Sequence, residues 1–532
     1  MKYIFSFIKA VCFFVALSLM ANYTYAQTIE VGTINKATSN YDPVIIGEDD
    51  ELIYVLAEVK SGKYNIEAYE KQNKLKRKYS VSIDHQKIDK KFSVEFERIT
   101  LMKDQFVVFY SYYDKQSHLY TLFVKTVNKK DGKTQDNRKD LISVEVEKKR
   151  RRGDYKVLVP ADKSKIFIYH VAYSKVQRKN VRQYMLMNQD LEVLFQKELE
   201  EGEFMPRGYI VDNDGSIFYL RYSDMNLYVG SFDANRDYEK WEEQIKFTSD
   251  KSLEKYYLHN LEMTISKKNE LTVAGLVSEK QNKTKNTTGS AFIVMDRESK
   301  EVRVAKINHF NEDFFDQFKT KKDVKKGRDG SVSRGFNREQ LIRKSDGSAI
   351  MILEEYSTMN YYDRDGALIG REVTYGDLLV INFNADGEML WANRVPKKQY
   401  FSWFDVVFPF TSSTRGLHLL SRPTEWKTTR HFSYSAALFN DKLIVFFNDD
   451  IKNIIEKSMQ DKFKKFKKPR KAVVAKYEFD LETGVGKKAV FHDALKIQTY
   501  LCPRDNFQSG ENKDMVIFGI KGGRYCYSIL RN

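Results

Sequence analysis

The chain has 532 residues, a formal charge of +16, 8 prolines and 3 cysteines, and it is 42 % hydrophobic and 14 % aromatic. That apolar content excludes a mostly disordered chain, and the polar overall balance excludes a polytopic membrane protein. Three cysteines with no CxxC pair exclude a disulfide scaffold, and the length exceeds one compact domain of ordinary size unless that domain is a closed repeat.

Met1 to Ala26 reads as an export signal. Lys2 and Lys9 supply positive charge, Ala10 to Ala21 is mostly apolar, and Thr24-Tyr25-Ala26 puts a small residue before the expected cut. The mature chain then begins at Gln27, in the periplasm or outside the cell, and stays basic. Lys9-Ala10-Val11 before Cys12 is not the small-residue box of a lipidated cysteine, so no lipid anchor is expected. No transmembrane segment is expected in the mature chain, because no later stretch is long and apolar enough to span a bilayer. The sequons Asn282-Lys-Thr284 and Asn286-Thr-Thr288 mark an exposed polar loop.

From there the apolar residues recur with a period of two, the signature of strands, in pairs joined by turns. In chain order the hairpins are Glu51 to Val59 with Lys63 to Tyr69, Gln105 to Tyr113 with His118 to Val127, Lys165 to Ala172 with Arg182 to Met187, and Ser216 to Tyr222 with Asn226 to Phe232. They continue as Leu271 to Val277 with Ala291 to Met295, Ala349 to Tyr356 with Asp377 to Phe383, Lys442 to Phe447 with Ala472 to Phe479, and Met515 to Ile520 with Arg524 to Leu530. A polar turn followed by a strand ending in an aromatic recurs at hairpin exits: Tyr69 to Tyr79, Met187 to Phe195, Phe232 to Trp241 and Phe383 to Trp391, with the turn alone at Phe479 to Gly484. The closing aromatics fall at near-multiples of about 50 positions, a spacing of propeller blades. The expectation is an all-β chain forming one β-propeller domain over residues 27–532, with about eight blades, seven as the alternative, and a pair of β-sandwiches as the competing fold.

Eight units leave more residues per unit than compact blades of ~40 to 50 need, and the surplus falls in three insertions with short helices. Residues 311–337 open with Phe314, Phe315 and Phe318 on one helical face and turn Lys/Gly/Ser-rich; residues 397–431 carry Trp403 and Trp426. Residues 449–471 place Ile451, Ile454, Ile455, Met459, Phe463 and Phe466 at helical spacing beside a basic run. Thr28 to Ile34 is a lone strand, whereas the unit after Cys502 has two clear ones, so the N-terminal strand is expected to complete the last blade and cover its edge. Cys502 then lies on the innermost strand and Cys526 on the third. Two strand spacings are about 9.6 Å, beyond the ~7 Å reach of a disulfide, so both are expected to be free thiols.

Basic runs occur at Glu147 to Arg152, Lys319 to Arg328 and Lys462 to Lys471. They sit in turns and insertions without a zinc-finger, helix-turn-helix or RNP-type motif, so no nucleic-acid partner is expected. The segment best suited to a specific interaction is 449–471, whose apolar residues and Lys464, Lys465, Lys467, Lys468 and Arg470 suit an anionic surface, including peripheral contact with a membrane. The candidate binding residues are these five with Trp403 and Trp426. The eight histidines are scattered without HExxH or pairs at i,i+2 or i,i+4, and no GxSxG, P-loop or dinucleotide fingerprint occurs, so no metal, cofactor or catalytic residue is assigned. Asp212 to Gly215 and Asp363 to Gly366 look like calcium-loop starts, but position twelve is Ser223 or Thr374, and both read as hairpin turns.

At Asn384 to Trp391 and Asp480 to Gly484 the chain resembles the quinoprotein-like propeller repeat, whose blades carry an Asp, a Gly and then a Trp. That resemblance implies either an eight-bladed, exported, non-enzymatic scaffold in outer-membrane protein assembly or a quinone-dependent dehydrogenase. The dehydrogenases' vicinal disulfide and metal-binding carboxylates have no counterpart here, nor do the W-D dipeptide of WD40-like propellers and the sialidase Asp-box. Trp391, Pro396-Lys397 and Asn448-Asp449 are similar to residues of uncharacterised exported repeat proteins of Gram-negative bacteria. The expectation from the sequence is an exported, non-catalytic propeller that binds or scaffolds a protein or an anionic cell-envelope component. The alternative is a periplasmic glycan hydrolase or lyase with carboxylates at the propeller channel.

Overall fold

The computed structural model describes residues 28–37, 41–60, 63–83, 92–135, 137–146, 152–174, 179–200, 206–223, 226–247, 256–266, 270–279, 286–327, 332–333, 335–363, 368–404, 430–440, 442–455, 457–458, 461–467, 471–491, 500–503, 506–509 and 512–531. Residues 1–26, which the sequence leads one to expect as an export signal, lie outside them.

Among the described residues, eight antiparallel sheets of four or more strands follow one another along the chain, beside a two-stranded ladder of Asn286–Thr287 with Val332–Ser333. Their strands run in sequence order except that the last sheet takes the chain's first strand, and every hairpin anticipated above supplies the second and third strands of one sheet. The sixth is representative, with Phe336–Arg343, Ala349–Tyr362, Leu368–Phe383 and Met389–Val395 from inside outward. The closing aromatics Tyr79, Phe195, Trp241 and Trp391 all fall on outermost strands.

Apolar clusters join consecutive sheets and return to the start. The first sheet packs on the second through Tyr54 and Phe106, the sixth on the seventh through Ile352 and Val445, the seventh on the eighth through Phe446 and Ile517, and the eighth on the first through Phe518 and Val55. A ring of sheets closed in this way is an eight-bladed β-propeller. Because each sheet is covered on both faces, its second strand is buried nearly throughout, as from Phe106 to Ser111. Outermost strands alternate instead, as from Lys76 to Ile83.

Thr28–Val31 pairs antiparallel with the third strand of the last sheet, Arg524–Arg531, and so forms its outermost strand. The ring is closed between its two chain ends. Within the first sheet the buried Glu67 accepts hydrogen bonds from Tyr41 (2.7 Å), Tyr69 (2.6 Å) and Arg77 (3.0 Å), and across to the last sheet the Tyr69 and Tyr525 hydroxyls lie 2.9 Å apart. Cys502 and Cys526 are buried and free, with Met515–Lys521 between them.

Antiparallel order sorts the connections onto two faces. First-to-second and third-to-fourth turns lie on one; second-to-third turns and the links between sheets lie on the other. The 311–337 and 397–431 insertions are inter-sheet links, and 449–471 is a second-to-third connection of the seventh sheet, so all three emerge on one face. The long hairpin Ala349–Tyr362 with Leu368–Phe383 points to that face as well.

The first two insertions are built differently from each other. The first forms helices α1 (Glu312–Asp316) and α2 (Lys321–Lys325) and ends where the innermost strand of the sixth sheet starts at Phe336. The second begins as strand Gln399–Phe404, which pairs with Gly370 to Tyr375 and widens the sixth sheet; residues 405–429, including Trp426, lie outside the described residues.

Candidate functional site

A cavity of about 810 Å³ opens on the insertion face above the sixth blade. Its wall has three sources. Residues of the long hairpin form one side: Glu355, Ser357, Thr374, Gly376 and Asp377. A β-bulge builds it, since the register shifts between Glu354 and Tyr356 opposite Gly376-Asp377. Glycine leaves room there for the Glu355 carboxylate, which a Cβ on residue 376 would displace.

The second source is α2, with Thr320, Lys321 and Lys322. Thr320 caps this helix reciprocally with Asp323. Arg394 ties the preceding turn to the blade, donating to the Gln317 carbonyl at 2.6 Å and lying over the Phe318 ring at 5.1 Å. Phe314 is buried and Phe315 and Phe318 pack beside it, as their shared helical face foretold.

The third source is Lys457, Asp461, Lys462 and Phe463 from 449–471. Here the helical expectation is corrected: among the described residues helix α3 covers Ile451–Ile455, and residues 457–458 and 461–467 are not helical. Polar side chains and a neighbouring strand take the backbone groups a longer helix would have used. Asn453 accepts from Lys464 N at 2.9 Å and donates to Lys464 O at 2.9 Å. Ser458 N donates to Asp461 at 2.9 Å, and Phe466 N donates to the Lys398 carbonyl at 2.8 Å. Phe463 and Phe466 are therefore buried by an irregular segment that folds back and bridges to Gln399, rather than by one helical stripe. Ile451 and Ile455 stay 45 % and 69 % exposed.

Seven basic side chains and three carboxylates line the cavity. Arg394 donates to Asp377 at 2.7 Å, Lys321 lies 2.6 Å from Asp461 and joins two insertions, and Lys397 lies 2.6 Å from Glu354. The Lys321 contact and the Ser458 bonds hold the Asp461 carboxyl well below its ordinary range. Lys322, Lys398, Lys457 and Lys462 have no side-chain partner among the described residues. The cavity is thus a concave surface with four ammonium groups that have no ion-pair partner among the described residues.

Beneath it runs a buried polar network. Lys397 and Glu354 are both 0 % exposed. Glu354 also accepts from Ser433 Oγ at 2.6 Å, while Gln399 accepts from Ser433 N at 2.6 Å and donates to the Asn448 carbonyl at 2.8 Å. Asn448 donates to the carbonyls of His431 and Leu501, both at 2.8 Å. Burial pushes the Asp449 carboxyl up to about 6, against Asn453, the Asp450 amide, Lys397 and Lys488. Burial likewise pulls His431 down to about 4. The Pro-Lys and Asn-Asp pairs noted in the sequence belong to this one assembly.

Of the residues named as candidate binders, Lys464 is paired with Asp450 at 2.6 Å, and Lys465 and Lys467 lie over the Tyr400 ring at 4.4 and 4.9 Å. They flank the cavity rather than line it. Trp403 lies on the strand paired with the long hairpin, and Lys468 and Arg470 fall outside the described residues. The lining lysines were within reach of the sequence, since Lys319 to Arg328 and Lys462 to Lys471 are its basic runs. Gly376 inside a strand pattern is the signal that would have located the bulge. Towards the channel, Glu95 and Glu97 on an innermost strand both accept from Arg152, at 2.9 and 2.7 Å.

Neither a protein-family model nor a curated protein matches the chain. Among solved structures it is similar to a protein from Lactobacillus plantarum (10 % identity, TM-score 0.31), covering 66 % of this chain and 84 % of that one. It is also similar to the Dos1 propeller, with 8 % identity and TM-score 0.27 over 79 % of this chain and 91 % of that one. The β-propeller domain of the Trilobed protease from Pyrococcus furiosus gives 8 % identity and TM-score 0.29, covering 74 % of this chain and 97 % of that domain.

Proposed function

We propose that the protein is an exported, non-catalytic propeller that binds an anionic component of the cell envelope through the cavity on its insertion face. The observation carrying this reading is the set of four lysines without side-chain partners on one concave wall. Like charges held close together repel each other, and a bound anion offsets that repulsion. The size lies within the ~300 to 1,000 Å³ of small-ligand sites. The Glu95 and Glu97 carboxylates, which the hydrolase alternative would call on, are instead shared with Arg152.

Titration of the purified protein with soluble polyanions tests the reading. Binding is expected at low salt, weakening as ionic strength rises and the Debye length falls from ~30 Å at 0.01 M to ~8 Å at 0.15 M. Replacing Lys322, Lys398, Lys457 and Lys462 together by Gln is expected to abolish it while the fold persists. Binding unaffected by that variant would remove the cavity from the proposal.

A further inference from the structure

Resting on that reading, we infer that the cavity takes a segment of an acidic polysaccharide chain. Three features of the wall select this chemistry. The unpartnered cations are all lysines, whereas the one arginine, Arg394, is committed to Asp377 and the Gln317 carbonyl. Lysine supplies point charges without the planar fork that fixes a single phosphate or carboxylate in two parallel bonds, so the wall suits charges spread along a ligand.

Cations also continue beyond the cavity. Phe466 pairs with the strand at Lys398 and Tyr400, which sets Lys465 and Lys467 outward on either side of it, over the same Tyr400 ring. Beyond Lys398 and Lys462 on the wall, Lys465 and Lys467 thus extend the basic surface past the cavity.

Between its charges the wall is polar. Ser357 and Thr374 offer hydroxyl donors and acceptors to the hydroxyl groups of a ligand. Phe463 is the one aromatic among the lining residues, and it is buried, so there is no platform for stacking successive bases of a nucleic acid. Helix α3 is a single turn, too short for the amphipathic face that an acyl-chain boundary requires. An uncharged sugar would leave the lysines uncompensated, and a polyanion without hydroxyls would leave the polar wall unused.

The experiment compares four probes on the full-length protein by calorimetry: polygalacturonate, its methyl-esterified neutral form, inorganic polyphosphate, and vesicles containing phosphatidylglycerol. Polygalacturonate is expected to bind and the neutral ester not to. The Lys398→Gln/Lys462→Gln variant is expected to weaken that binding about tenfold, with an unchanged melting temperature, because exposed charge pairs are individually weak and two of several along the chain are lost. A Lys465→Gln/Lys467→Gln variant, outside the cavity, is expected to weaken long chains more than a trimer. Equal binding of polyphosphate, or binding of vesicles without polygalacturonate, would overturn the polysaccharide while leaving an anion-binding cavity. Binding of none of the charged probes would overturn both.

Discussion

Trp391 donates its indole N–H to the carbonyl of Leu481 at 2.9 Å, across the seam between the sixth and seventh blades. Its ring stacks on Phe479 with centroids 5.7 Å apart and 19° between planes. Asn393 donates to the Gly484 carbonyl at 2.8 Å, and a Cβ on Gly484, at φ +71°, would come within 2.6 Å of the indole. The two sequence stretches that resemble the quinoprotein-like repeat are thus the two sides of one blade contact. Trp391→Phe is expected to keep the stack and lose the hydrogen bond, at about 1 kcal/mol. Trp391→Ala is expected to lose both, at about 3 kcal/mol. Urea unfolding of the two variants checks the order.

Gly376→Ala sets a methyl group against the Glu355 carboxylate. Because Glu355 lies on the cavity wall, its side chain must swing and reshape the pocket. Weakened polyanion binding with a stability loss of about 1 kcal/mol is expected from such a local clash. Calorimetric titration beside thermal melting separates the two effects.

The buried Lys397–Glu354 pair gives a third expectation. Lys397→Met leaves a buried carboxylate without its cation and is expected to destabilise by about 3 to 5 kcal/mol. Adding Glu354→Gln removes the stranded charge and is expected to restore much of the loss. A double-mutant cycle in denaturant measures this coupling directly.

Asp449 and His431 act in opposite directions on acid stability. With its carboxyl moved from 3.8 up to about 6, folded Asp449 holds a proton that the unfolded chain has shed between those values, so its contribution falls as pH rises. With His431 moved from 6.5 down to about 4, the unfolded chain holds the extra proton and stability rises with pH. Native protein is expected to show a flat profile between pH 4 and 6 from this pair. Asp449→Asn should expose a rise, and His431→Gln a fall, each approaching 1.4 kcal/mol per pH unit. Denaturant midpoints at three pH values suffice.

Cys502 and Cys526 should resist a thiol reagent in the folded protein and react once it is unfolded. Burial also pushes the Cys526 thiol up, which lowers its thiolate fraction. Peptide mapping under non-reducing conditions is expected to find no bond between them.

The blades were legible because each central strand buries both faces and so carries long apolar runs, as in Gln105–Asp114 and Lys442–Asp449. The closing strand was legible from a shortage, since one strand stood alone at the start and one was missing at the end. The cavity was not. Its lysines could be seen as runs, but Lys322 and Lys462 stand 140 positions apart in the chain, and their meeting depends on α2 and Asp461 folding against the same blade. Phe463 and Phe466 misled as helical positions because helical spacing describes any segment whose apolar residues bury together by turns.

By itself the sequence determined the period-two strands, their grouping into a closed repeat and the insertions that interrupt it, because these follow from local alternation and turn chemistry. Tertiary structure alone decided which insertions share a face, which lysines keep a neutralising partner and which buried charges are joined. Such pairings depend on distances between residues far apart in the chain, and the energy of a charge is set by what surrounds it in space.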